Sequence, residues 1–271
     1  MLISITDIIT ESFKLYKNNF KRLFVYMALT FAPGALIIIS KFLLTYFFPG
    51  TTIGALGISF LIFVMVSILL TAMSFWFNLA FIRVLVQIYT GQTTDTAGAE
   101  IMHAKKVFWA AIGVTILTTL ATLGGFLLLF IPGIIFMLWF AFSYIFVAVD
   151  ETSVMDSMHK SKALVDGRWW QVLYRVIVPS LIFGILISIV IGIVGSPLTY
   201  ILNQTSKTSD LYQIWRIMTD LISSFASAIV SPLITIGLVV LFVELKKTPV
   251  STPETTVNTS EVSPTPPTEQ V

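Results

Sequence analysis

Apolar positions in this chain come in blocks much longer than a soluble helix or strand carries. Residues 23–40, 42–82, 107–149, 176–206 and 221–243 contain no Asp, Glu, Lys or Arg. A hydrocarbon core about 30 Å thick is crossed by about 20 apolar residues in helical form. The five runs hold six such helices. In the run 42–82, Pro49-Gly50 and Thr51-Thr52 end one helix and Ile53 starts the next. In the run 107–149, Pro132 and Gly133 form a helix-breaking turn, since proline removes a donor and glycine allows a tight reversal. The predicted spans are 23–47, 53–89, 107–130, 134–150, 170–195 and 218–245. The fold class is therefore all-α, a polytopic six-helix transmembrane bundle occupying residues 23–247.

Two polar-apolar segments lie outside the spans. Residues 1–22 open with Ser4-x-x-Asp7, a helix-start signal, followed by Ile5, Ile8, Ile9, Phe13, Tyr16 and Phe20 on one face. The second starts at Ser153 with Asp156 three residues on, shows Val154, Met155, Met158 and Val165 on its apolar side, and stops at Gly167. Both are expected to be amphipathic helices lying in the membrane interface. Residues 248–271 are mostly Thr, Pro, Ser, Val and Glu and contain no aromatic residue, so a disordered tail is expected there.

Composition narrows the function classes. Charged residues are 11% of the 271, against about 25% in an average soluble domain, which removes a soluble reading. A net charge of +2 scattered along the chain gives no nucleic-acid footprint. There is no cysteine, hence no disulfide. The start has no basic segment followed by a short apolar one, so no cleaved signal peptide is expected. With the N-terminus inside, Lys14, Lys17, Lys21, Arg22, Arg83, Lys105, Lys106, Lys160, Lys162, Arg168, Arg175, Lys246 and Lys247 fall on one side. Only Lys41, Lys207 and Arg216 fall on the other. The positive-inside rule then puts both termini in the cytoplasm.

Polar and small residues supply the candidate sites. Arg168, Trp169 and Trp170, at the entry of the fifth span, together with Lys160 and Lys162, form an interfacial anchor able to hold a lipid phosphate. Gly184, Ser188, Gly192 and Ser196 recur every four residues, as do Ser223, Ser227 and Ser231 in the last span. Small residues in register let backbones approach, so the fifth and sixth spans are expected to pack through them. Asn78 lies at mid-depth, Lys41 is expected to snorkel outward, and Arg216 and Asp220 are spaced to pair. Glu100-x-x-His103 and Asp156-x-x-His159 match half of a di-iron ligand set, but the bridging carboxylates are missing, so no metal site is expected. No phosphate-binding glycine loop or nucleophile elbow is present, and two histidines without a buried carboxylate pair give no acid–base machinery.

The block Phe130-Ile131-Pro132-Gly133, then Val149-Asp150-Glu151, then Ser161-Lys162-Ala163-Leu164-Val165-Asp166-Gly167-Arg168-Trp169-Trp170 resembles a known pattern. It is similar to the six-span membrane domain attached to some bacterial glycerophosphoryl diester phosphodiesterases, and to stand-alone relatives of unknown function. Residues 12–20 are similar to the start of that domain, and Phe242, Glu244 and Lys246 look like a softened form of its end. No soluble phosphodiesterase domain follows the last span, so the resemblance implies a fold and a bacterial plasma (inner) membrane location, without hydrolysis. The expectation is a non-enzymatic membrane protein, without cofactor, that binds or organises lipid or a membrane or cytoplasmic protein partner at the cytoplasmic face. The alternative is a transporter or exporter of a small lipid-related solute, suggested by Asn78 and by the Gly/Pro-interrupted spans.

Overall fold

The structure is a computed structural model whose described residues are 2–47, 53–93, 95–206 and 209–248. The predicted turn at Pro49-Gly50 and the tail beyond residue 248 lie outside them. Among the described residues there are ten helices and no strand. In chain order these are α1 (Ile5–Asn18), α2 (Phe20–Phe47), α3 (Ile53–Thr90), α4 (Ala97–Leu128), α5 (Phe130–Trp139), α6 (Ser143–Asp150), α7 (Val154–Val165), α8 (Trp169–Gln204), α9 (Asp210–Val230) and α10 (Pro232–Lys247). Six stretches are long and apolar enough to cross a membrane: α2, α3, α4, α5 with α6, α8, and α9 with α10. The chain is all-helical and built as a multi-pass membrane protein.

The bundle turns its apolar surface outward as well as inward, as a lipid-solvated protein does. Ile58, Phe60, Leu61, Ile62, Met65, Ile68 and Leu69 on the first half of α3 are exposed, and so are Leu181, Ile185, Ile189 and Ile193 on α8. The second half of α3 behaves differently, with Leu79 to Ile82 and Val84 to Val86 buried. The centre belongs to α10, in which Leu233, Ile236, Val239 to Val243 and Leu245 are all buried. This helix is enclosed by protein, packed by α1, α3 and α8.

Two expectations need correction. First, Pro132 and Gly133 are not where the helix divides. The break is a single extended residue, Leu129 (φ −165°, ψ 154°), and Pro132 sits in the first turn of α5. The missing donor costs nothing there, because first-turn N–H groups have no helical acceptor. Gly133 instead permits close approach: a Cβ on Gly125 would come within 2.9 Å of the Gly133 Cα, and one on Gly133 within 2.4 Å of the Phe126 ring.

Second, the fourth and sixth spans are each two helices. The chain turns between Trp139 and Ser143, and Ser161 of α7 repairs the interruption. Its hydroxyl donates to the Trp139 carbonyl at 2.6 Å and accepts from the Phe142 N–H at 3.1 Å. The sixth span breaks at Ser231, with Pro232 as the first residue of α10.

The amphipathic α1 buries Ile8, Ser12 and Leu15 and leaves Phe13 exposed. The helix docks on protein: α1 packs against α8 and α10. Tyr16 donates its hydroxyl to the Ile229 carbonyl at 2.8 Å, and Arg175 donates from Nε to the Ile3 carbonyl at 2.6 Å.

Candidate functional site

One end of the bundle gathers nearly all the charge, and helix ends bring it there. The last turns of α3, the first of α4, the end of α6, all of α7, the start of α8 and the end of α10 meet at this pole. Its innermost member is Glu100, with no exposed surface. Arg83 Nε lies 3.1 Å from Glu100 Oε2, and Arg83 Nη1 lies 3.0 Å from Glu151 Oε1. Gln87 donates from Nε2 to Glu100 Oε1 at 2.9 Å. A buried carboxylate is tolerated only when paired and hydrogen-bonded, and α3 supplies both partners from one face, four residues apart. Glu151 reaches Arg83 because it closes α6 in the left-handed conformation (φ 51°).

A second set ties α10 to its neighbours. Lys246 Nζ is 2.8 Å from Asp150 Oδ2, and Tyr89 donates to Glu244 Oε1 at 3.0 Å. Lys247 Nζ is 2.6 Å from the same Glu244 oxygen. Arg168 completes the set and is only 9% exposed. It donates from Nε to the Leu164 carbonyl (2.9 Å), from Nη2 to the Leu245 carbonyl (2.9 Å), and from Nη1 to the carbonyl and hydroxyl of Thr248. The Leu164 and Leu245 carbonyls lie in the last turns of α7 and α10, where a cation is favoured. Burial lowers the pKa of this guanidinium from its usual value. Gly167 (φ 75°) provides the left-handed turn that aims Arg168 inward.

The expected lipid anchor is therefore divided. Arg168 is committed to backbone carbonyls and is not the phosphate holder its neighbours suggested. Lys162 Nζ stands 4.4 Å over the Trp139 ring. Trp169 is half-buried and meets Trp170 edge to face at 4.7 Å. Trp170 is exposed and stacks on Tyr174 at 6.3 Å, and Lys160 is exposed. Beside these, α4 presents an exposed Lys105, Lys106 and Trp109, the last 77% exposed. Among the described residues Lys105, Lys106 and Lys160 make no ion pair.

The small-residue expectation fails in register. α8 and α9 do pack, but through Gly195, where an added Cβ would sit 3.5 Å from Ser223 Oγ. A Cβ at Gly184 or Gly192 would meet nothing within 4 Å. Ser188, Gly192 and Ser196 face outward, while Ser227 is half-buried and Ser231 exposed at the break. α8 is apolar all around, so its sequence carries no moment to fix which face meets α9.

The remaining sites are dispersed. Asn78 is half-buried in α3. Lys41, Gln213, Arg216 and Asp220 line a small cleft between α2 and α9 at the opposite pole, and no Arg216–Asp220 ion pair forms. Among the described residues no group of three or more His, Cys, Asp or Glu is placed to hold a metal ion; Glu100 answers to Arg83 and Gln87 instead.

The charged pole was largely missed from sequence. Arg83 and Glu100 are separated by a loop and a change of helix, and the one available signal was Arg83 as the lone charge between residues 42 and 94. No curated protein and no solved structure matches the chain. A family model does match residues 97–245, more than half of the chain and most of this pole, and the protein belongs to that family, described as a domain of unknown function (DUF7847).

Proposed function

We propose that the protein is a non-enzymatic integral membrane protein that binds anionic lipid at the rim of its charged pole, with that pole and both termini on the cytoplasmic side of a bacterial plasma membrane. One observation carries this reading. Among the described residues Arg83, Lys246 and Lys247 are ion-paired and Arg168 caps helices, whereas Lys105, Lys106 and Lys160 stand exposed without an ion pair, near exposed Trp109 and Trp170. Tryptophan favours the headgroup layer, and each Lys or Arg near an anionic surface adds about 1 kcal/mol of attraction. The resemblance of residues 130–170 to a membrane domain carried by lipid-related phosphodiesterases agrees with a lipid ligand.

The test is native mass spectrometry of protein purified in mild detergent. Wild type is expected to retain anionic phospholipid. A Lys105→Gln/Lys106→Gln/Lys160→Gln variant is expected to lose most of it while keeping its thermal stability. Equal retention by that variant would sink the reading.

A further inference from the structure

A cavity of about 360 Å³ opens at the charged pole, lined by Arg22, Val25 and Tyr26 of α2 and by Asp95, Thr96 and Ala97 at the start of α4. Among the described residues, the side chains of Arg22, Tyr26 and Asp95 in its lining make no hydrogen bond or ion pair. Tyr26 is 3% exposed, its ring 6.2 Å from that of Phe81. Among the described residues its hydroxyl makes no hydrogen bond, and it is not among the sealed, unpartnered polar atoms of the core. The hydroxyl of a nearly buried side chain thus reaches the cavity without a partner. Arg22 and Asp95 line the same space with opposite charges, yet no ion pair joins them or links either to another described residue.

The backbone adds donors. Thr96 caps α4 by accepting from the Ala99 N–H at 3.4 Å, and its carbonyl takes the Glu100 N–H at 3.1 Å. The N–H groups of Ala97 and Gly98 are left over, as the first turn of any helix leaves them. A Cβ on Gly98 would meet nothing within 4 Å, so that N–H is open to approach. An arginine, a phenol and a helix N-terminus together suit a phosphate. A lone carboxylate in the same cavity suits an ammonium a few ångströms away. Val25, which lines the cavity, is an exposed apolar group.

We propose that this cavity binds a phosphodiester carrying a primary ammonium, with the phosphate on Arg22, Tyr26 and the first turn of α4 and the ammonium on Asp95. The exposed apolar flank favours a membrane lipid headgroup over a soluble phosphate as its source. This choice of source rests on the lipid-binding reading above; the polar geometry does not.

The experiment measures lipid retained by full-length protein in nanodiscs doped with phosphatidylethanolamine or phosphatidylglycerol, with O-phosphoethanolamine and inorganic phosphate as soluble probes. At this cavity phosphatidylethanolamine is expected to bind in preference to phosphatidylglycerol, which the rim lysines hold independently of it. Arg22→Gln and Tyr26→Phe should each weaken it about tenfold, the loss of one or two charge-assisted hydrogen bonds. Tyr26→Phe keeps the ring against Phe81, so its fold serves as the control for Arg22→Gln.

Asp95→Asn is the discriminating variant, because it should abolish the preference over phosphatidylglycerol without loss of thermal stability. Binding of O-phosphoethanolamine at the same strength as the lipid would assign the site to a soluble ligand and overturn the lipid source. Retained lipid that ignores all three substitutions would overturn the site while leaving the rim reading intact. Absence of any retained lipid would overturn both.

Discussion

Arg168 Nη2 donates to the Leu245 carbonyl at 2.9 Å, joining the entry of α8 to the exit of α10 across 77 residues of sequence. One guanidinium here donates to carbonyls in the last turns of both α7 and α10. Arg168→Gln is expected to lower unfolding stability by about 3 kcal/mol, since hydrogen bonds to charged groups contribute about 1.5–3 kcal/mol and several go at once. Arg168→Lys should recover less than half, because one ammonium does not match a planar fork aimed at separate acceptors. Thermal unfolding in detergent reads both. A stability unchanged in Arg168→Gln would show that the cap contributes nothing.

The Arg83–Glu100 pair should behave as a unit. Removing Arg83 strands the fully buried Glu100 carboxylate, so Arg83→Met is expected to cost about 3–5 kcal/mol, whereas Glu100→Ala should cost less because Arg83 keeps Glu151 at 3.0 Å. Arg83→Met with Glu100→Leu should cost clearly less than the two single changes added, because neither charge is then stranded. A double-mutant cycle in urea or by heat measures the coupling, and strict additivity would refute it.

Ser161 makes a sharper prediction. Its hydroxyl bridges the Trp139 carbonyl and the Phe142 N–H inside a span. Ser161→Ala should cost about 1–3 kcal/mol, the desolvation penalty of leaving buried groups unmatched. Ser157, equally buried on the same helix, donates only to Val154 within its own turn, at 2.7 Å. Ser157→Ala should therefore be the milder change, and equal losses in Tm would count against the bridge.

Glycines separate by what surrounds them. Gly125→Ala forces backbone against backbone at Gly133 and is expected to cost about 1–3 kcal/mol, as overpacking does. Gly184→Ala and Gly192→Ala meet open space, and each should be neutral or raise stability by about 0.5–1 kcal/mol through helix propensity. A reversed order in thermal unfolding would reject the outward placement of the α8 stripe.

Long-range order of the spans was legible because charge-free runs of this length have one physical use. The details failed wherever the deciding partner lay far along the chain. Arginine beside two tryptophans is a common membrane anchor, and only the return of Leu245 and Thr248 reveals Arg168 as a helix cap. Glu100 three residues before His103 resembled half a metal site because Arg83 belongs to the preceding helix. Pro132 marked a boundary three residues late, since proline fits a first turn as well as a break. Gly195, and not Gly192, meets Ser223 because a uniformly apolar helix gives no sign of its inner face. The unmatched Arg22, Tyr26 and Asp95 were invisible for the same reason: a cavity is a property of two helices at once.

The connection between α4 and α5 is one residue long, and Leu127 to Ile131 around it are all exposed and all apolar, Leu127 at 88%. Water would not tolerate such a knuckle, so it must stay submerged in acyl chains. From Val107 to Leu128, α4 rises about 33 Å, barely the thickness of the hydrocarbon layer. In a bilayer the third and fourth crossings are therefore expected to end together at the far edge of the acyl layer. A protease or impermeant label in the medium beyond that leaflet is therefore expected to find little to cut or modify in these two crossings.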